Sequence, residues 1–172
     1  MNLHFKKCTV NDFDTLRNIS YLTFHDTFSE SNTSSNLNAY MDKAFQIDKL
    51  KTELSNPHST FYFLYTENEI AGYLKLNEWE AQTDINDLKS IEVERIYLLK
   101  DFQGKGLGKA LMDNAVEVAK GFNKDYIWLG VWEKNEKAIA FYKRNGFYII
   151  DQHSFFMGDE EQTDYLMRKD LK

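Results

Sequence analysis

The chain has 172 residues, 42% of them hydrophobic and 28% charged, with one proline and a net charge of −6. That composition suits one globular domain over residues 1–172, with no linker, repeat or low-complexity tract, and the acidic balance argues against nucleic acid, whose binding rests on neutralised phosphates. No apolar run approaches the roughly 20 residues of a membrane span, the start of the chain lacks a signal-peptide core, and the lone Cys8 excludes an intrachain disulfide and points to a reducing cytoplasm.

Leu3 to Cys8 reads as a first strand, with Cys8 a buried residue. Thr9-Val10-Asn11-Asp12 has capping-box form, and Leu16, Ile19, Leu22 and Phe24 carry a helix onward. Further helices are expected over about Ser35–Phe45 and Ile47–Leu54, the latter stopping before Asn56-Pro57. Phe61–Tyr65 and Ile70–Leu76 flank Glu67-Asn68-Glu69 as a hairpin, and Trp79 to Lys89 reads as a loop. Ile91 to Leu99 alternates and is a strand. Leu107, Leu111, Ala115, Val118 and Phe122 then form one helical stripe. Tyr126 to Trp132 is apolar on both faces, as a buried central strand would be. Asn135 caps a helix that ends at Gly146 in the left-handed conformation. Phe147–Phe155 and Thr163–Lys169 close the chain as an antiparallel pair, with the acidic Asp159-Glu160-Glu161 between them. This order predicts a mixed α/β sheet with helices on both faces.

The run Gln103-Gly104-Lys105-Gly106-Leu107-Gly108 sits between the 91–99 strand and the helix that follows. A glycine-rich turn opening a helix offers free backbone N–H groups and the positive end of the helix dipole, so it suits phosphate. It is not a P-loop: Gly104 and Gly108-Lys109 stand one residue too close, and Ala110 occupies the Ser/Thr position. Its third glycine is also misplaced for a dinucleotide fingerprint.

The pattern Gln103-x-x-Gly106-x-Gly108 resembles the pyrophosphate arm of the GCN5-related N-acetyltransferases (GNAT). Asn135, Ala138, Tyr142, Gly146 and Phe147 match a second motif of that superfamily. Thr23–Phe28, Glu92–Tyr97, Trp128–Asn135 and His153–Asp164 are similar to the PaiA-type spermidine/spermine N-acetyltransferases. The resemblance implies a central, mixed, mostly antiparallel sheet and acetyl-CoA as co-substrate. It places Gln103 through Lys109 on the pyrophosphate and the backbone of Ile96, Tyr97 and Leu98 along the pantetheine. Asn135 serves cofactor or helix cap. Lys105 and Lys109 add charge to the arm, or are solvated residues of a helix start.

Amine acetylation must first remove a proton from an ammonium of pKa about 10.4, at a cost of about 4–5 kcal/mol at pH 7. A carboxylate can take that proton, and a tyrosine near the coenzyme sulfur can protonate the leaving thiolate. The resemblance makes Tyr142 the candidate acid. Glu94 and Glu92 are the candidate bases; in a regular strand they share a face with Ile96, and a bulge would change that facing. Glu92 also stands as a substrate contact. The first helix offers Tyr21, Phe24, His25 and Asp26 to an acceptor, with Asp12 nearby. The acids 159–161 would steer a polycation or form a polar loop. The four histidines have no ligand spacing, so no metal is expected. The reading is therefore transfer of acetyl to a small-molecule amine, a polyamine in particular. Acetylation of a protein amine and a coenzyme-binding regulatory module are the alternatives, and the oligomeric state stays open.

Overall fold

In the computed structural model, which describes residues 2–172, seven strands share one sheet. They are β1 (Leu3–Lys7), β2 (Ser59–Thr66), β3 (Glu69–Asn77), β4 (Ser90–Leu98), β5 (Tyr126–Trp132), β6 (Tyr148–Met157) and β7 (Glu160–Asp170). Their spatial order is β1-β2-β3-β4-β5-β7-β6. Every neighbouring pair is antiparallel except β4 with β5. The helices are α1 (Phe13–Phe28), α2 (Ser34–Ala44), α3 (Ile47–Ser55), α4 (Leu107–Gly121) and α5 (Glu136–Arg144). This is the mixed, mostly antiparallel α/β sheet that the sequence predicts.

Strand alternation sends side chains to opposite faces of the sheet, and two different cores result. Leu74, Leu76, Ile91 and Val93 pack with Leu107, Leu111, Met112 and Ala115 of α4, and with Tyr142 of α5. On the other face Phe61, Phe63 and Tyr73 pack with Leu16 and Ile19 of α1 and Leu50 of α3. A third cluster joins Phe24 and Phe28 of α1 and Leu37 and Met41 of α2 to Trp132 and Met157. The α1 stripe differs in one respect from the expected one: Leu22 is exposed, and Ser20 and Thr23 are buried instead. Their hydroxyls donate to the carbonyls of Leu16 and Ile19, both at 2.7 Å. That bond meets the polar cost of burial within the helix itself.

Local chemistry sets several boundaries. Thr9 and Asp12 form the capping box, which holds a short 3-10 turn ahead of α1. Cys8 is buried one residue beyond β1. The first hairpin turns on Glu67-Asn68, with Glu67 at φ +53° and Glu69 already paired in β3. Asp159-Glu160-Glu161 is not a loop. Glu160 and Glu161 pair with Met157 and Phe156, so the β6–β7 turn is only Gly158-Asp159. Gly158, at φ +66°, supplies the left-handed turn residue.

Candidate active site

Two irregularities in the sheet centre create the site. The parallel β4–β5 ladder extends only from Ser90–Glu92 against Tyr126–Trp128, although β4 continues to Leu98 and β5 to Trp132. Past that point the strands part. On its other edge β4 slips register: Lys75 faces Arg95 and Leu76 faces Val93, leaving Glu94 as the extra residue of a bulge. A cleft of about 960 Å³ runs through the gap, bordered on the β4 side by Val93, Glu94, Ile96, Tyr97 and Leu98. Among the described residues the edge of Ile96–Leu98 that faces away from β3 has no strand partner; the Leu98 carbonyl accepts from Gln103 Nε2 at 3.3 Å, and the rest of that edge is open to an extended ligand as an added strand would use it.

One wall is the glycine turn and α4. Gly104 and Gly106 lie at φ +73° and +79°, a region costly for residues with a Cβ. A Cβ at either would meet nothing within 4 Å, so the turn leaves open space on that side. Gly106 is the N-cap of α4 and no side chain caps it; the first N–H groups of the helix stay available for an anion. Gln103, Gly104, Gly106, Gly108 and Lys109 line the cleft. Two expected arm residues lie elsewhere. Leu107 is buried under α4. Lys105 leans over the Phe102 ring at 5.5 Å and borders a separate surface depression with Tyr65 and Asp101. From α5 come Asn135, Lys137, Tyr142 and Arg144. The Asn135 side chain accepts from Ala138 N–H at 3.2 Å, so the cap and the cleft position coincide. Tyr142 is buried at the cleft wall, and its hydroxyl has no hydrogen-bond partner among the described residues. Burial pushes its phenol well above the usual value. It is therefore a protonated donor throughout the neutral range.

The opposite wall is aromatic and acidic. It comprises Phe24, Asp26 and Phe28 of α1, Glu30 just past its end, Tyr40 of α2, Trp132 of β5, and Phe155, Phe156, Met157 and Asp164 of the β6–β7 hairpin. Phe24 stacks on Tyr40 at 4.9 Å and meets Phe28 at 4.5 Å. Tyr21 and His25 do not line the cleft; the Tyr21 hydroxyl donates to Asp42 at 3.0 Å. Asp12 is engaged by Lys6 at 2.6 Å and by the Thr9 backbone at 2.9 Å. Asp159, Glu160 and Glu161 are also absent from the cleft wall.

The bulge rearranges the two candidate glutamates. Asn77 Nδ2 donates to Glu92 at 3.0 Å and to Glu94 at 2.6 Å, so both carboxylates converge on one amide. Ile96 instead packs in the α4-side core; the extra residue breaks the parity that would have put it beside them. Glu92 is buried outside the cleft and clasped by Thr83, whose N–H donates at 2.8 Å and hydroxyl at 2.5 Å. Burial, with Glu94 adding, raises its carboxyl. Glu94 lines the cleft but belongs to a buried charge network. It is ion-paired to Lys75, and to Arg95 at 3.4 Å, while Glu53 pairs with Lys75 at 3.2 Å and Arg95 at 3.1 Å. Burial pushes Glu94 up, but Arg95 and Lys75 outweigh it and hold the carboxyl down at about 2. The segment after β3, expected as a plain loop, is fixed by the same face of the sheet. Gln82 Oε1 accepts from Trp128 Nε1 at 2.6 Å and from Ser90 at 2.7 Å.

Sequence reasoning missed Asp164, which no local pattern marks. It is half-buried on β7, pairs with Trp132 across the ladder, and lines the cleft. Burial raises its carboxyl to about 6.

A splayed parallel pair facing a glycine-rich helix start, with a buried tyrosine on the same cleft, suits an extended ligand that carries phosphate. Residues 21–147 match the acetyltransferase (GNAT) family, and the chain belongs to it: its class is acetyl-CoA-dependent N-acetyltransferase. It is 44% identical over 153 residues to the "uncharacterized N-acetyltransferase in pepI 3′ region" of Lactobacillus delbrueckii subsp. lactis, covering 89% of this chain and 88% of that protein. The spermidine N(1)-acetyltransferase of Thermoplasma acidophilum is 21% identical over 98% of both chains. The crystal structure of PaiA N-acetyltransferase from Thermoplasma acidophilum in complex with coenzyme A superposes with a TM-score of 0.80, at 21% identity and 99% coverage of each chain. That likeness establishes the fold. Among the described residues no helix is long and apolar enough to cross a membrane, and no cluster of three His, Cys, Asp or Glu residues could hold a metal ion.

Proposed function

We propose that the protein acetylates a primary amine of a polyamine of the spermidine/spermine class, in the cytoplasm, by direct attack in a ternary complex. The observation that carries this reading is the division of charge in the cleft. Lys109, Lys137 and Arg144 come from the α4–α5 wall, while Asp26, Glu30 and Asp164 come from the aromatic wall. An anionic donor suits the first wall and a polycation with methylene spacers suits the second, since aromatic rings hold methylenes and ammonium groups alike. The polyamine activity borne in the name of the Thermoplasma relative points the same way.

When bound, acetyl-CoA supplies the activated acetyl thioester. The chain's own residues do the rest. Backbone groups of Ile96, Tyr97 and Leu98 hold the pantetheine, and the Gln103–Lys109 turn holds the pyrophosphate. Asn135 fixes the start of α5 and so the placement of Tyr142. Tyr142 donates its proton toward the sulfur; burial that disfavours phenolate disfavours a bare thiolate there as well. Phe24, Phe28 and Tyr40 exclude water from the amine. Glu94, kept ionised, sets a fixed negative end to a neutral buried network, and Glu92 supports the bulge through Asn77.

The test is coenzyme A release, read with a thiol reagent, over spermidine, spermine, putrescine, lysine peptides, an α-amino peptide and an aminoglycoside. Turnover confined to the polyamines is expected. Turnover on peptides above polyamines would replace the small-molecule reading with protein acetylation. Coenzyme binding with no turnover on any amine would leave a binding module.

A further inference from the structure

We propose that Asp164 is the carboxylate that accepts the proton of the acceptor ammonium. The inference rests on the amine-acetylation reading above and assigns within that site a group it left unassigned.

Four carboxylates line the cleft: Asp26, Glu30, Glu94 and Asp164. Asp26 on α1 and Glu30 in the turn after it are exposed, where water competes for any proton. Glu94 is inside but already satisfied by Lys75, Arg95 and Asn77; a carboxylate held by two cations is a weak proton acceptor. Asp164 is the remaining interior one, and among the described residues its side chain has no hydrogen-bond or ion-pair partner. A half-buried carboxylate that faces a cleft with no protein partner is free to meet a ligand there.

Its position fits the chemistry. Asp164 stands on β7 opposite Trp132, near the end of β5 that borders the gap. Its Oδ2 lies 3.6 Å from where a Cβ on Gly130 would be. Gly130 is exposed to the cleft in an otherwise buried strand, so the carboxyl reaches over β5 toward the parting of the strands without a side chain in the way. Burial holds Asp164 at about 6, a value suited to a base working near neutral pH. The titratable groups that face it from neighbouring elements are Tyr40 of α2, which senses its charge, and His153, its ladder partner on β6; Lys134 after β5 lies over the ring of Trp132, its partner on β5. The His153 ring is held by Asp84 and Asp151.

The proton balance closes. Asp164 takes one proton from the ammonium and becomes the neutral acid. The freed nitrogen forms the C–N bond as the C–S bond breaks, and Tyr142 protonates the sulfur. The second proton lost by nitrogen restores Tyr142, and Asp164 returns its own to water, so one proton is released per turnover.

Asp164→Asn tests this with whichever amine the protein turns over best. The expected result is a loss of about 10²-fold or more in kcat, the usual worth of a general base, with calorimetric acetyl-CoA affinity unchanged. In the wild type kcat/KM should fall as pH drops through about 6; that limb should disappear in Asp164→Asn and survive in His153→Gln. With an acceptor amine already neutral at pH 7 the defect shrinks to a few-fold, which a merely structural role would not produce. An unchanged acid limb, or an equal defect with both amines, overturns the proposal. Carbon NMR titration of the Asp164 carboxyl in the free protein gives an answer that needs no turnover. A value in the ordinary aspartate range overturns the assignment even if every amine fails as substrate. Turnover of amines other than polyamines would revise the substrate class alone.

Discussion

The two walls of the cleft are built in opposite ways. The phosphate-binding part of the donor wall is local in sequence, the end of β4, the Gln103–Gly106 turn and the first turn of α4, with backbone N–H groups as its working parts, and only α5 joins it from farther along the chain. The acceptor wall is assembled from α1, α2, β5 and the β6–β7 hairpin, with side chains as its working parts. A backbone site depends on conformation and tolerates changes in neighbouring side chains. A side-chain site depends on which groups are already engaged, and there the two ion pairs of Glu94 decide between it and Asp164.

The contrast breaks most severely at the network beneath Glu94. Arg95 is 7% exposed, lies 5.2 Å over the Phe45 ring, and contacts both Glu53 and Glu94. Arg95→Ala leaves those two carboxylates with Lys75 as their one buried cation, and removing one partner of a buried charge cluster costs about 3–5 kcal/mol. Urea unfolding should show a loss of that size, large against the 5–15 kcal/mol of a typical domain. A loss under about 1 kcal/mol would mean that the network is solvated and that Glu94 is free to act as a base after all.

On the donor side, Tyr142→Phe removes the proton donor and leaves the wall standing. The phenol makes no protein hydrogen bond among the described residues, so stability should hold within about 0.5 kcal/mol. Acetyl-CoA affinity should hold too, while kcat falls about 10²-fold. Calorimetry and steady-state kinetics on one preparation separate these. Loss of binding in parallel with kcat would make Tyr142 a packing residue.

How far each wall was legible in the sequence follows from its construction. Gln103–Gly108, the Asn135 cap and the Gly146 stop are local patterns, and the structure realises them at Gly104, Gly106 and Gly146 with positive φ. Strand parity gave Glu92 and Glu94 one face but failed at Ile96, because the bulge that sets the facing arises from pairing with β3, not from β4 itself. The Thr83 clasp on Glu92 comes from 9 residues away, and of the charges around Glu94 only Arg95 is adjacent in the chain, Lys75 and the Glu53 that shares both cations coming from distant elements. Asp164 read as part of a family-like segment because nothing nearby in sequence announces that Gly130 lies beside it.

The two cleft carboxylates should also shape stability in opposite directions with pH. Glu94 is held at about 2, below an unfolded value near 4.3. Its contribution is therefore complete above that unfolded value and is lost as pH falls toward about 2. Asp164 is raised to about 6, above an unfolded value near 3.9. It costs nothing below pH 3.9, and its penalty grows until pH passes about 6. Asp164→Asn removes that penalty, so the variant should nearly match wild type at pH 4 and exceed it by about 3 kcal/mol at pH 7.5. Urea titrations at the two pH values decide it; a variant less stable than wild type at pH 7.5 would mean that Asp164 has a partner in the folded protein.

The smallest effect tests whether the donor wall is truly a backbone site. Lys109 lines the cleft, yet its ammonium is bound to Asp113 at 2.6 and 2.8 Å in a pair that is more than half exposed on both sides. Exposed pairs of this kind contribute only about 0.2–1 kcal/mol, and salt screens whatever charge remains. Lys109→Ala should therefore weaken acetyl-CoA binding by about threefold or less at physiological salt, with the gap narrowing further as salt rises. Asp113→Ala frees the same ammonium and should tighten binding by a similar small factor. A tenfold loss in Lys109→Ala that persists at high salt would mean that the lysine abandons Asp113 for a direct, desolvated contact with the pyrophosphate. The donor wall would then be a side-chain site like its opposite.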